Sequence, residues 1–252
     1  MLYPFAVCTF AGLSTGLGGL IVACVPDIDG QKMSFSQGFA AGVMLAVSFF
    51  DLLPQTYLTY YEYMPVMTAA KAVLSLFFCG WVAGNAITGM AENVPDTADN
   101  LITHTLRRTA FITILVMVIH NLPEGMLTVF TSAHDVQAGA RIGLAVALHN
   151  MPEGLAVAAP VLYITHSRMK AFLYSLATGM AELTGGVAAY LLLKDVITPA
   201  FLNGIMPVIA GIMCQAAICE MIPAGQKISD IHHTIYGIIT GIVIMSIGLF
   251  VI

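Results

Sequence analysis

Polar residues in this chain fall in short clusters, and long apolar runs lie between them. Eight runs are predicted as helices: 2–25, 35–57, 66–90, 109–131, 138–163, 169–193, 199–224 and 233–252. Each reaches or exceeds the roughly 20 residues needed to cross a ~30 Å hydrocarbon core. The joints hold the turn and polar residues: Pro26-Asp27-Ile28-Asp29-Gly30, Tyr60 to Pro65, Glu92 to Arg108, His134-Asp135, His166-Ser167, Lys194-Asp195 and Gly225 to His233. The pattern predicts an all-α polytopic membrane protein, with residues 1–252 forming a single transmembrane domain. The first run lacks a basic leader and an A-x-A-like exit, so it reads as a retained span rather than a cleaved signal.

The apolar pattern breaks twice in the same way. Span 4 contains His120-Asn121-Leu122-Pro123-Glu124-Gly125, and span 5 contains His149-Asn150-Met151-Pro152-Glu153-Gly154. An acid at a membrane helix centre costs about 2.5–3.5 kcal/mol even on the lenient insertion scale, so a duplicated stretch of this kind marks a site. A helix turns about 100° per residue; with His120 at 0°, Asn121 points to about 100° and Glu124 to about 40°. The carboxylate therefore lies between imidazole and amide, and His149, Asn150 and Glu153 repeat the fan. Two such helices facing each other form one position of two His and two Glu, and another of two Asn and two Glu. Imidazole with carboxylate suits zinc, iron, manganese or cobalt, and the amide-rich position is harder and weaker. Pro123 and Pro152 leave the carbonyls of Ile119 and Leu148 without their helical partners, so each helix is expected to kink beside its motif.

Other intramembrane polar residues extend the picture. Glu182, in the middle of span 6, is a candidate ligand for the amide-side position. Asp51 and Glu220 lie near the ends of spans 2 and 7, each followed three residues later by Pro54 or Pro223. They read either as a gate or relay pair on the two halves of a pathway, or as interfacial acids reaching for water. Ser48 and Gln215, on the same helices, are weaker pathway candidates.

The surroundings of these acids repeat as well. Ala41-Gly42-Val43-Met44 before Asp51 matches Ala210-Gly211-Ile212-Met213 before Glu220, and Thr15-Gly16-Leu17-Gly18-Gly19 echoes Glu182-Leu183-Thr184-Gly185-Gly186. With eight spans, spans 2 and 7 run in opposite directions, as do spans 4 and 5. Such inverted repeats characterise secondary transporters with a midplane site. Small residues four apart recur at Gly12/Gly16, Gly38/Gly42, Gly80/Gly84 and Gly237/Gly241. They allow close helix approach, within the bundle or in a homodimer.

Composition narrows the classes. Only 9% of residues are charged against 58% hydrophobic, far from the roughly 25% charged of soluble domains. The net charge of −5 and the absence of a basic cluster argue against nucleic acid as a partner and leave the lipid bilayer. Cys8, Cys24, Cys79, Cys214 and Cys219 show no CxxC spacing and read as packing residues. With both termini outside, inner loops and flanks hold Lys32, Arg107, Arg108, Arg168, Lys170 and Lys227, whereas outer ones hold Lys71, Arg141 and Lys194. That bias favours the N-outside orientation. No Walker A sequence provides for ATP.

On the paired HNxPEG stretches, Glu182 and the acid-x-x-Pro endings of spans 2 and 7, the chain resembles the ZIP family of divalent-metal transporters, particularly its short bacterial members. The resemblance covers nearly the whole chain. It implies a 3+2+3 arrangement of spans and uptake of Zn²⁺, or of Fe²⁺, Mn²⁺, Co²⁺ or Cd²⁺, across the cytoplasmic membrane. It further implies a binuclear site in which His120, Glu124, His149 and Glu153 form the primary position. Asn121, Asn150 and Glu182 complete a second position that shares the two Glu. The metal is then cargo, and no separate cofactor is expected. Two departures stand out: Leu183 occupies the place of a usual Pro, and the connection after span 3 carries only His104. An intramembrane metal-dependent hydrolase is the rival reading, but it needs an H-E-x-x-H pair, and Asn follows each His here.

Overall fold

The computed structural model describes residues 2–26, 28–90, 101–193 and 199–251. Within them the chain is helical: α1 (Leu2–Cys24), α2 (Gly30–Val47), α3 (Leu53–Tyr61), α4 (Val66–Met90), α5 (Leu101–His134), α6 (Val136–Thr165), α7 (Arg168–Ala188), α8 (Pro199–Ala216), α9 (Ile222–Ile228) and α10 (Ile231–Val251). Residues 92–100 of the expected polar connection, Asp27 and the Lys194-Asp195 joint lie outside the described residues.

Side-chain caps start several of these helices. Asp29 accepts from the Lys32 backbone N–H at 2.9 Å, Asp135 from those of Gln137 and Ala138 at 2.7 and 3.0 Å, and Ser167 from that of Lys170 at 3.3 Å. Such caps satisfy backbone donors that the first helical turn leaves free.

Several features differ from the sequence expectation, among them the start of α2 at Gly30 rather than 35, behind its Asp29 cap. Helix α5 starts at Leu101 rather than 109, because Leu106 and Ala110 bury one face of the added turns and carry Arg107 and Arg108 into the helix. Spans 2 and 7 are each interrupted by a π-helical turn, at Ser48–Leu52 and Ala217–Met221. Pro54 and Pro223 stand directly beyond, where a missing N–H already disturbs the α register. Among the described residues, seven helical runs are long and apolar enough to cross a membrane. Helix α7 is long enough but less apolar, and it buries Ser175, Thr178 and Glu182 within the protein.

Helices α1, α5, α6 and α7 pack as one bundle. Around it, α2 pairs with α10 and α4 with α8, and these pairs meet the bundle through α2–α6 and α5–α8 contacts. The small-residue pairs serve contacts inside the chain. Gly38 and Gly42 of α2 lie against the backbone of Thr234 and Ile238, and Gly237 and Gly241 of α10 lie against Phe35 and Phe39. Cβ atoms on both helices would collide there, so glycine is what permits this approach. Outward faces are apolar, with Phe78, Val82 and Ile247 each more than half exposed. A lipid surround suits such a surface.

Candidate metal centre

The two motifs sit partway along α5 and α6, the longest helices of the fold, which run antiparallel through a tight joint at Asp135. Both helices continue through Pro123 and Pro152 without a break. Four motif side chains meet between them, all at most 5% exposed. His120 Nε2 lies 3.0 Å from Glu153 Oε1 and 3.6 Å from Glu124 Oε2, and His149 Nε2 lies 3.1 Å from Glu124 Oε1. The two imidazole ring centres are 6.5 Å apart. His120, Glu124, His149 and Glu153 thus form one cluster, with each helix supplying one imidazole and one carboxylate.

The amides turn to the neighbouring helices. Asn150 Nδ2 donates to Glu182 Oε2 at 2.8 Å and to the Ala11 carbonyl at 3.0 Å, and Asn121 Nδ2 donates to the Thr178 carbonyl at 2.9 Å. Thr178 lies one turn before Glu182, so both amides face the same stretch of α7. Glu182 is completely buried although Leu183 follows it, and an uninterrupted α7 presents it to Asn150. The last glycine of each motif fixes this spacing: Gly125 rests on the Glu182 carbonyl of α7, and Gly154 on the Thr15 carbonyl of α1.

What the cluster lacks defines its chemistry. Glu124 Oε2, Glu153 Oε2, Glu182 Oε1 and the amide oxygens of Asn121 and Asn150 are buried without hydrogen-bond donors among the described residues, and Glu153 Oε1 meets the His120 imidazole at 3.0 Å without hydrogen-bond geometry. A buried acceptor left unpaired costs roughly 1–3 kcal/mol, more if charged. Unpaired acceptors on facing helices, with two imidazoles beside them, match a cation with borderline-soft and hard ligands. Among the described residues no three His, Cys, Asp or Glu side chains already converge in coordination geometry. The imidazoles and carboxylates instead hold one another, and a cation would have to part them.

A cavity of about 450 Å³ reaches this cluster from the side on which α3 and α5 end and α6 and α8 begin. Glu124 and His149 form its floor, and Asp51, Gln55, Arg141 and Asn203 stand on its walls. Asp51 is hydrogen-bonded by Gln55. Towards the other side the same helices close over Ile112, Val116, Met117, Val157 and Met213, all buried. Near that end Glu220 pairs with Arg108 at 3.0 Å. Ser48 is buried beside the Ala210 carbonyl at 3.5 Å, and Gln215 turns to Asn85 and Thr88 of α4 at 3.3 and 3.4 Å, so neither lines the cavity.

Sequence reasoning did not single out Arg108, placed in a loop, or Met213, whose sulfur lies 3.2 Å from His120 Nδ1. The match between Met44 and Met213 in the repeated segments was the available signal for the second. Arg108 had none until α5 was seen to start at Leu101.

Known proteins resemble this chain along nearly its whole length. The family model described as ZIP Zinc transporter matches residues 88–248, a segment that contains both motifs and Glu182. The chain is 34% identical to the zinc transporter ZupT of Chlorobium phaeovibrioides, covering 98% of this chain and 97% of that protein. It is 33% identical to ZupT of Escherichia fergusonii, covering 100% of this chain and 97% of that protein.

Proposed function

The chain belongs to the ZIP zinc transporter family, and from that premise we propose that it is a secondary transporter carrying Zn²⁺ and similar divalent ions into the cell across the cytoplasmic membrane. The observation that carries the reading is the cluster of His120, Glu124, His149 and Glu153, buried at the end of a cavity with carboxylate oxygens unpaired. In this reading the four residues hold the primary ion. Asn121, Asn150 and Glu182 form the second position beside it. Two carboxylates neutralise one divalent ion, whereas three acids face four positive charges when both positions are filled. The second ion therefore binds more weakly or brings a hydroxide.

All eight helical runs cross the membrane in this proposal, in a 3+2+3 order with both termini outside, as one domain. Helix α7 crosses by burying its polar residues against α1, α5 and α6. Inverted repetition is supported by the motif glycines: that of span 4 packs on span 6, and that of span 5 packs on span 1. This is the exchange expected if spans 4 and 5, and spans 1 and 6, are counterparts. The cavity then opens outward, and the packed side chains around Met117 and Met213 close the inner side. A relative shift of the helices would expose the ion to the cytoplasm. The relatives named above are zinc transporters, and nothing in this site supplies the H-E-x-x-H pair of the hydrolase reading.

Uptake of radioactive zinc into proteoliposomes tests the proposal. Wild type is expected to accumulate zinc well above Glu124→Gln/Glu153→Gln, which keeps side-chain size while removing both charges. Equal uptake by the two, with both proteins shown to melt cooperatively, would refute it.

A further inference from the structure

The acids of the π-helical turns in spans 2 and 7 occupy equivalent positions but opposite circumstances; a third such turn among the described residues, Ala189–Leu193 at the end of α7, carries no acid. Asp51 is the fourth residue of Ser48–Leu52 and Glu220 the fourth of Ala217–Met221, with a proline two residues into each following helix. Glu220 is buried on the closed side and paired with Arg108 of α5 at 3.0 Å. Asp51 faces the open cavity, and Arg141 of α6 stands on the same cavity wall. Arg108 and Arg141 precede the motif histidines of their own helices by about two to three turns. Because α5 and α6 are antiparallel, the two arginines lie towards opposite sides. Thus α5 supplies an arginine to the π-turn acid of the second repeat, and α6 places one on the cavity that the π-turn acid of the first also lines.

We propose that Arg141 and Asp51 form a second latch, the counterpart of Arg108–Glu220, and that the two latches alternate: one closes as the other opens. The proposal rests on the transporter reading only in taking the two sides to open in turn. Its functional content is electrostatic. On the open side the acid faces water with its charge available to attract a divalent cation. On the closed side the arginine takes up that charge, so the acid does not retain cargo. Each acid then draws ions only while its own side is open, and the arginine competes with the cation for it. π-Turns suit this role, because such single-turn bulges occur frequently at functional sites.

Accessibility of the cavity wall tests the exchange directly. Asn203→Cys is introduced, and its reaction with a membrane-impermeant thiol reagent is followed in nanodiscs, with the native-cysteine background subtracted using the parent protein. Removing the closed-side latch by Arg108→Gln, or separately by Glu220→Gln, should favour closure over the cavity. Labelling should then slow about threefold, the scale of one partly exposed ion pair. Adding Arg141→Gln to either variant should restore the parent rate, because the competing latch is lost as well. The exchange Arg108→Glu/Glu220→Arg, which preserves the pair in reverse, should also label at the parent rate. Unchanged labelling in both single variants, or no recovery on adding Arg141→Gln, would overturn the proposal. Labelling needs no zinc and no uptake, so loss of transport with the expected labelling pattern would count against the transporter reading and leave the latches standing.

Discussion

Replacing Gly125 with alanine measures how far the metal centre depends on helix contact. A Cβ at this position would collide with the Glu182 carbonyl oxygen, and would lie 2.6 Å from its carbonyl carbon and 3.0 Å from its Cα. Unstrained carbon–carbon contact begins at about 3.5 Å, so α5 and α7 must part by on the order of 1 Å. The bond from Asn150 Nδ2 to Glu182 Oε2 is 2.8 Å long, and a displacement of that size takes it beyond hydrogen-bond range. Overpacking of this type costs about 1–3 kcal/mol, whereas the helix-propensity gain of alanine is at most about 1 kcal/mol. With about 1.4 kcal/mol per factor of ten, affinity at the position formed by Asn150 and Glu182 should fall about tenfold. Gly89→Ala on α4 is the matched comparison, since its new methyl would meet nothing within 4 Å. Zinc titration by calorimetry and thermal melting of the purified proteins provide the readouts. Gly125→Ala should melt lower and weaken the weaker zinc step about tenfold, and Gly89→Ala should do neither. If the two variants behave alike in both assays, the α5–α7 contact does not set the position of Glu182.

Asn150→Ala removes the donor to both Glu182 and the Ala11 carbonyl; in zinc titrations it should affect the weaker step more than the tighter one, and the reverse order would contradict the assignment of two positions. Ser175→Ala deletes a buried hydroxyl that lies 2.6 Å from the Thr15 carbonyl and 3.2 Å from that of Gly154; it should lower stability by about 1 kcal/mol in thermal melts while zinc affinity stays unchanged. His149→Ala should weaken the tighter step by at least about tenfold, because a ligand is lost and Glu124 loses its contact; a wild-type titration curve would remove His149 from the ligand set.

Much of the centre was legible because membrane helices make polar residues conspicuous. His120, Glu124, His149 and Glu153 come together as the helical fan predicts, and Glu182 reaches Asn150 without the proline that the family resemblance led one to look for. The predicted spans follow the helices to within a few residues where the apolar pattern alone decides them. The pattern could not show that spans 2 and 7 contain π-turns, since a local change of register leaves composition unaltered. It also missed the early start of α5, where Leu106 and Ala110 bury a helix face between basic residues that read as a loop. Arg108 was misplaced for that reason, and its partnership with Glu220 depends on contacts between distant spans that spacing cannot reveal.

The duplication also explains where the site stops being symmetric. The two motifs provide matching sets, and their glycines bring α7 and α1 equally close. In the weak echo between spans 1 and 6, however, the position of Glu182 on α7 is taken by Thr15 on α1. Thr15 is completely buried, and its hydroxyl has no hydrogen-bond partner among the described residues. The echo therefore pairs a buried carboxylate on α7 with a buried neutral hydroxyl on α1, which lies against Gly179 of α7. A second buried acid in place of Thr15 would add a fourth carboxylate to the helices that carry the motifs and Glu182, where like charges repel strongly. A second hydroxyl in place of Glu182 would leave only the two motif acids to balance the four charges of two cations. In the proposed two-ion site a single symmetry-breaking acid lies between these limits: it would strengthen one additional position without holding both ions so firmly that neither could leave.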